Sequence, residues 1–159
     1  GTAGKGITFS STNTPAQSAG TGSHNTLDDY EEGTYDITIA GLTNGLNSGK
    51  NALQYTKIGR LVTVSGEISM TSASSPTGTM TITLPFTVAS GVGDLTERFQ
   101  GVFSCQNINF AGNYLNIGSY AGQSTMSVQI TNDNSGWTYL HADTLASNSE
   151  FVIYIQYIT

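Results

Sequence analysis

Apolar side chains recur at every second position along most of this chain, and that period restricts it to β-structure. Val62, Val64, Ile68 and Met70 alternate with Thr63, Ser65, Glu67 and Ser69. Met80, Ile82 and Leu84 alternate with Thr79, Thr81 and Thr83; Met126, Val128 and Ile130 alternate with Thr125, Ser127 and Gln129. Tyr35, Ile37 and Ile39 oppose Asp36 and Thr38 in the same way. Successive side chains of a strand point to opposite faces, so a period of two describes half-buried strands. Further strands are expected at 53–58, 99–105, 114–120 and 136–141. Turn signals separate them at Ile58-Gly59-Arg60, Ser75-Pro76-Thr77-Gly78, Ser90-Gly91-Val92-Gly93, Asn132-Asp133-Asn134-Ser135-Gly136 and Ala146-Ser147-Asn148-Ser149. No segment carries a sustained 3.6-residue period with caps, and one short helical turn near 94–98 is the most the pattern allows. The expectation is an all-β fold, an antiparallel β-sandwich of the jelly-roll-like kind.

At 159 residues the chain is sized for one domain. Residues 1–26 read as an extended connector, anchored by Ile7 and Phe9, and residues 27–159 as the sandwich head. The absence of a starting Met reads as a piece of a longer polypeptide. Only five side chains are basic, Lys5, Lys50, Lys57, Arg60 and Arg98, and the net charge is −6. Phosphate backbones demand clustered cations, so a nucleic-acid partner is not expected. Anionic lipid would repel this surface, and no apolar run approaches the ~18 residues of a membrane span. Cys105 is the sole cysteine and sits beside Phe103, which suits a small buried hydrophobe and rules out an intrachain disulfide. Without disulfides, oligomerisation is the expected source of extra stability.

The last strand sharpens that expectation. Phe151, Ile153, Ile155 and Tyr157 fall on one face, and Val152, Tyr154 and Ile158 occupy most of the other. Large apolar residues on both faces call for cover on both sides. One face would meet the core and the other a neighbouring subunit, with Val152, Tyr154 and Ile158, together with Ile7 and Phe9, as trimer-interface candidates. The alternative is cover by the chain's own loops.

Three blocks carry a resemblance to a known family. They are Leu27-Asp28-Asp29-Tyr30-Glu31-Glu32-Gly33-Thr34 after Gly4-Lys5-Gly6-Ile7-Thr8-Phe9, then Tyr55-Thr56-Lys57-Ile58-Gly59-Arg60-Leu61-Val62-Thr63-Val64-Ser65-Gly66, then Ile82-Thr83-Leu84-Pro85-Phe86-Thr87. In this order they resemble segments of the C-terminal head domains of bacteriophage tail fibre and tailspike proteins. The resemblance spans roughly residues 4–87; beyond it only the β-rich ending is alike. Family members often carry Trp or Phe where this chain has Tyr35. The resemblance implies a trimeric, β-rich, often jelly-roll-like head at the distal, extracellular end of a virion fibre. Its implied task is attachment to a host-surface glycan or outer-membrane receptor, or holding the trimer together. The blocks also have local readings. Gly59 supplies the positive φ of a hairpin turn, and Pro85 ends a strand because it cannot donate to the ladder.

Catalytic constellations are missing from the pattern. No Gly-x-Ser-x-Gly elbow occurs, His24 and His141 lie in unrelated segments, and zinc would need more His or Cys. A glycosidase needs two carboxylates facing each other across a cleft; the loop pair Asp94 and Glu97 lacks an aromatic platform, and Glu67, Asp143 and Glu150 are scattered. No enzyme activity and no cofactor are expected. The acidic turn Asp28, Asp29, Glu31 and Glu32 is a weak metal candidate, since its spacing matches no calcium loop. It would otherwise cap backbone donors or pair with Lys57, Arg60 or Arg98. Binding is better supported. Sugars are gripped by aromatic faces together with amides and carboxylates. Asn132, Asp133, Asn134, Trp137, Tyr139 and His141 combine those types, as do Tyr114, Asn116 and Tyr120. The competing use for Trp137 and Tyr139 is as core residues on one strand face. A structural trimerisation cap and a carbohydrate-binding module of a secreted enzyme are the rival functions.

Overall fold

A computed structural model describes residues Ile7–Thr8, Thr26–Leu27, 30–42, 46, 49–72, 77–90, 98–112 and 114–159, the first two pairs by backbone only. The strands, in chain order, are β1 (Ile7–Thr8), β2 (Thr26–Leu27), β3 (Tyr30–Asp36), β4 (Ala52–Ile58), β5 (Leu61–Ser69), β6 (Thr81–Thr83), β7 (Arg98–Ile108), β8 (Tyr114–Tyr120), β9 (Thr125–Thr131), β10 (Thr138–Tyr139) and β11 (Leu145–Ile158). A 3-10 turn at Ala142–Thr144 precedes β11. The all-β, antiparallel class is as the alternation requires. The side chain of Ile7, the residues Phe9, Asp28 and Asp29, and the helical turn expected near 94–97 lie outside the described residues; Arg98 already belongs to β7. β1 pairs with β2, which brings the two ends of the intervening segment together.

The main sheet runs β10-β9-β8-β7-β11-β5-β4-β3, with β6 on the edge of β9 that β10 also uses. Two meanders, β3-β4-β5 and β7-β8-β9, are stitched together by β11, which pairs with β5 on one side and β7 on the other. The chain leaving β3 then closes the far side. Ala40 N donates to Thr81 O at 2.9 Å and Thr83 N to Thr38 O at 3.1 Å, so residues 38–40 run against β6. The sheet is thereby curled until its two ends meet around one interior.

That interior is filled by the residues the period of two assigns to it. Ile37, Ile39, Val62, Val64, Ile68, Met80, Ile82, Met126, Val128 and the β11 row Phe151, Ile153, Ile155 and Tyr157 are all buried. Each such side chain stabilises the fold by roughly 1.5–3 kcal/mol relative to exposure. Cys105 is half-buried and packs against this core, where desolvation pushes its thiol pKa up. The β4–β5 connection is the expected two-residue hairpin, Ile58 opposite Leu61, with Gly59 at φ 56°. The Leu-Pro-Phe block gains a partner as well. The Tyr157 hydroxyl donates to Phe86 O at 3.0 Å and accepts from Phe86 N at 3.3 Å, fastening this segment to the last strand.

Two expectations change. Ala146–Ser149 is not a break between strands but a bulge inside β11: the four residues between Leu145 and Glu150 lie opposite the single residue Asn107 between Ile108 and Gln106 on β7. Ser149 stabilises it, its hydroxyl donating to Asn107 O and accepting from Ala146 N, both at 2.8 Å. Ser149 therefore finds one partner within the bulge and one across on β7, and the strand does not end. Further, the strand expected at 136–141 shortens to β10, because Trp137 and His141 leave the ladder on either side of it. On the outer face of β11, Val152 is 51% and Tyr154 44% exposed, with Ile158 half-buried. Val102, 64% exposed, lies opposite Tyr154.

Candidate functional site

The side chains of interest sit on the outer face of β7, β8, β9 and β10. Phe103, Ile117, Val128 and Leu140 point into the core, so the alternate residues must point outward. Register then builds a grid. Tyr139 is opposite Gln129, Gln129 opposite Asn116, and Asn116 opposite Val102. One step along, Ser127 faces Gly118 and Gly118 faces Gln100; a further step places Tyr120 opposite Arg98.

Aromatic rings close over one end of this grid. The Arg98 guanidinium carbon lies 3.5 Å from the Trp137 ring centroid and 4.7 Å from that of Tyr120. Trp137 and Tyr139 are 6.3 Å apart, centroid to centroid, and the Tyr120 and Tyr139 hydroxyls share a hydrogen bond of 3.0 Å. Burial and the Tyr139 hydroxyl raise the Tyr120 pKa, while Arg98 pulls the other way. The cation–π contacts contribute roughly 0.5–1 kcal/mol each at such exposure. Trp137 is half-buried and Tyr139 is 39% exposed, so neither is a core residue.

Beside the rings lies a polar niche. Gln129 is only 2% exposed although it faces outward. Gln100 Nε2 donates to Gln129 Oε1 at 3.3 Å, and this pair lies over Gly118: a Cβ on Gly118 would come within 3.3 Å of Gln100 Nε2 and 3.5 Å of Gln129 Nε2. Two polar atoms in the niche, Gln129 Nε2 and Asn116 Oδ1, are buried without a hydrogen-bond partner. Each such atom costs about 1–3 kcal/mol unless something satisfies it.

Of the residues singled out from sequence, Trp137, Tyr139, Tyr120 and Asn116 come together here. Tyr114 occupies the same face of β8 at the other end of the strand, 73% exposed and opposite Thr131. Asp133 and Asn134 are exposed in the loop, Asn134 in the left-handed region at φ 57°. Asn132 turns toward the β7–β8 connection, its Oδ1 lying 2.9 Å from where a Gly112 Cβ would stand. The exposed His141 holds the 3-10 turn through its carbonyl, which accepts from Thr144 Oγ1 at 2.7 Å. Arg98, Gln100 and Gln129 were not legible as site residues, since single polar residues at outward strand positions are ordinary.

The expected acidic turn is in part a strand: Glu31 and Glu32 lie on β3, opposite Lys57 and Thr56 of β4. Glu31 accepts from Tyr55 Oη at 2.7 Å and Glu32 accepts from Tyr30 Oη. These bonds raise the pKa of both tyrosines. Among the described residues no group of three or more His, Cys, Asp or Glu is placed to hold a metal ion. A cavity of about 240 Å³ on the outer face of β5, β11 and β7 is lined by Glu67, Glu150, Gln106 and Val152 among others. Its carboxylates are engaged, Glu67 by Lys50 at 2.6 Å and Glu150 by the Gln106 amide. No family model matches the chain, and neither a curated protein nor a solved structure matches it.

Proposed function

We propose that this chain is the C-terminal head of a bacteriophage tail fibre or tailspike, a jelly-roll-like domain that works as a homotrimer at the distal, extracellular end of the virion and attaches to a host-surface glycan. The three sequence blocks motivate the family. The observation that carries the binding reading is the outer-face patch in which Arg98, Trp137, Tyr120 and Tyr139 flank Asn116 and Gln129. Aromatic faces beside convergent amides are the groups that hold a pyranose ring, and all of them but Trp137, which flanks β10, stand on strands. No catalytic role is assigned to any residue. Three copies would turn weak single-site binding into firm attachment through effective concentration.

The exposed row Val102, Tyr154 and Val152 supports self-association. It also favours a second reading, in which the head only registers and caps the trimer and recognition lies elsewhere on the fibre. Light scattering on the eluting protein, followed by binding of wild type and Trp137→Ala to host cells and purified surface glycans, separates these readings. Trimeric protein whose cell binding falls with Trp137→Ala supports attachment. A trimer that binds no cells leaves the cap, and a monomer that binds polysaccharide returns the secreted carbohydrate-binding module.

A further inference from the structure

The unsatisfied pair in the niche defines a specific chemical complement. Gln129 Nε2 is a donor without an acceptor, and Asn116 Oδ1 is an acceptor without a donor. The two residues are direct cross-strand partners, which places their Cβ atoms about 5 Å apart. A secondary amide offers a carbonyl to the first and an N–H to the second. We infer that, within the glycan-binding reading above, this niche is the subsite for the acetamido group of an N-acetylated sugar, with the neighbouring rings of Trp137 and Tyr139 as the wall for the pyranose.

The structure holds an amide there already. The Gln100 carboxamide lies over Gly118 and bonds Gln129 Oε1, yet it satisfies neither orphaned atom. Gln100 is exposed and is held by one hydrogen bond of 3.3 Å, so it is the side chain that swings out to admit a ligand. Both orphaned atoms are buried from solvent. Gly118 fits the same account, because any side chain there would fill the space the two amides share. A hexose lacking the acetamido group would have to serve both atoms from one hydroxyl oxygen, whereas the acetamido group offers a separate acceptor and donor, and a buried group left poorly paired is what makes such sites discriminate.

The test uses the whole chain labelled with ¹⁵N, titrated with N-acetylglucosamine, N-acetylgalactosamine, glucose and galactose. The Gln129 side-chain amide signals are assigned by their loss in Gln129→Leu. The expected result is that one or both N-acetylated sugars shift these signals, with affinity about tenfold or more above the parent sugar. Gln129→Leu should abolish that preference, and Gln100→Ala should bind at least as tightly as wild type because the competing amide is gone. Should Gln129→Leu fail to fold, Gly118→Ala serves in its place by narrowing the niche. Equal shifts from parent and N-acetylated sugars overturn the acetamido assignment while leaving glycan attachment standing. No shift from any sugar assigns the niche to ordered water and overturns the subsite; host-cell binding by the Trp137 comparison then decides attachment on its own.

Discussion

Replacing Tyr157 by Phe removes one oxygen and tests how the Leu-Pro-Phe segment is held. That hydroxyl both donates to and accepts from the Phe86 backbone. Each bond contributes about 1 kcal/mol net, and a partly buried Phe86 amide left without an acceptor adds to the loss. Because Phe86 is half-buried, water recovers some of that, and the expected destabilisation is about 1–2 kcal/mol. For a domain of this size that lowers Tm by about 2–8 °C. Urea unfolding followed by tryptophan fluorescence measures it, with an unchanged m-value as the sign that only stability moved. The same variant changes the alkaline limb. Burial pushes the Tyr157 pKa up to about 12, the Phe86 amide opposing this, and burial also raises that of Tyr35. The unfolded chain gives up these protons near pH 10 while the folded chain keeps them, so stability falls as pH rises from 10 toward 12. Tyr157→Phe should flatten that fall, leaving the part due to Tyr35 and to the other tyrosines with raised pKa, Tyr30, Tyr55 and Tyr120. A variant within 0.5 kcal/mol of wild type (about the scale of a neutral surface change), with an unaltered alkaline limb, would refute the clamp.

Tyr154→Asp places a charge on the outer face of β11 without touching the core; it should leave the fold intact by circular dichroism and, under the proposed trimer, give the mass of a monomer in light scattering. Gly101→Ala should prevent folding, since its Cβ would stand 2.2 Å from Tyr154 O and 2.8 Å from Ile155 Cβ between β7 and β11. A loss above about 4 kcal/mol is expected, read as absence of a cooperative melt. Trp137→Ala should cost less than about 1.5 kcal/mol in urea, because the ring is only half-buried, while removing most glycan binding.

The alternation made the core legible: Val62, Val64, Met126 and Val128 are buried where the period of two puts them. It could not show which strands pair. Nothing local in Phe151–Ile158 says that it lies between β5 and β7, because partner choice is settled by the packing of all strands together. The bulge at 146–149 misled for a related reason: Ser and Asn have the same local composition whether they end a strand or satisfy one another within it. The site was half legible. Trp137, Tyr139, Tyr120 and Asn116 announce themselves by residue type, whereas Gln129 matters only because register sets it beside Gly118 and opposite Asn116.

The position of β11 also sets the order of events during synthesis. A ribosome must release residues 145–158 before the two meanders can be joined on that side, since the strand between them comes after both in the chain. Until then β5 and β7 present open edges, the kind that pair with the wrong neighbour. The pairing of Ile155 with Val64 also spans most of the chain, and contacts of that sequence separation form slowly. A nascent chain therefore carries two unpaired edges, one on each meander, from the emergence of β7 until that of β11.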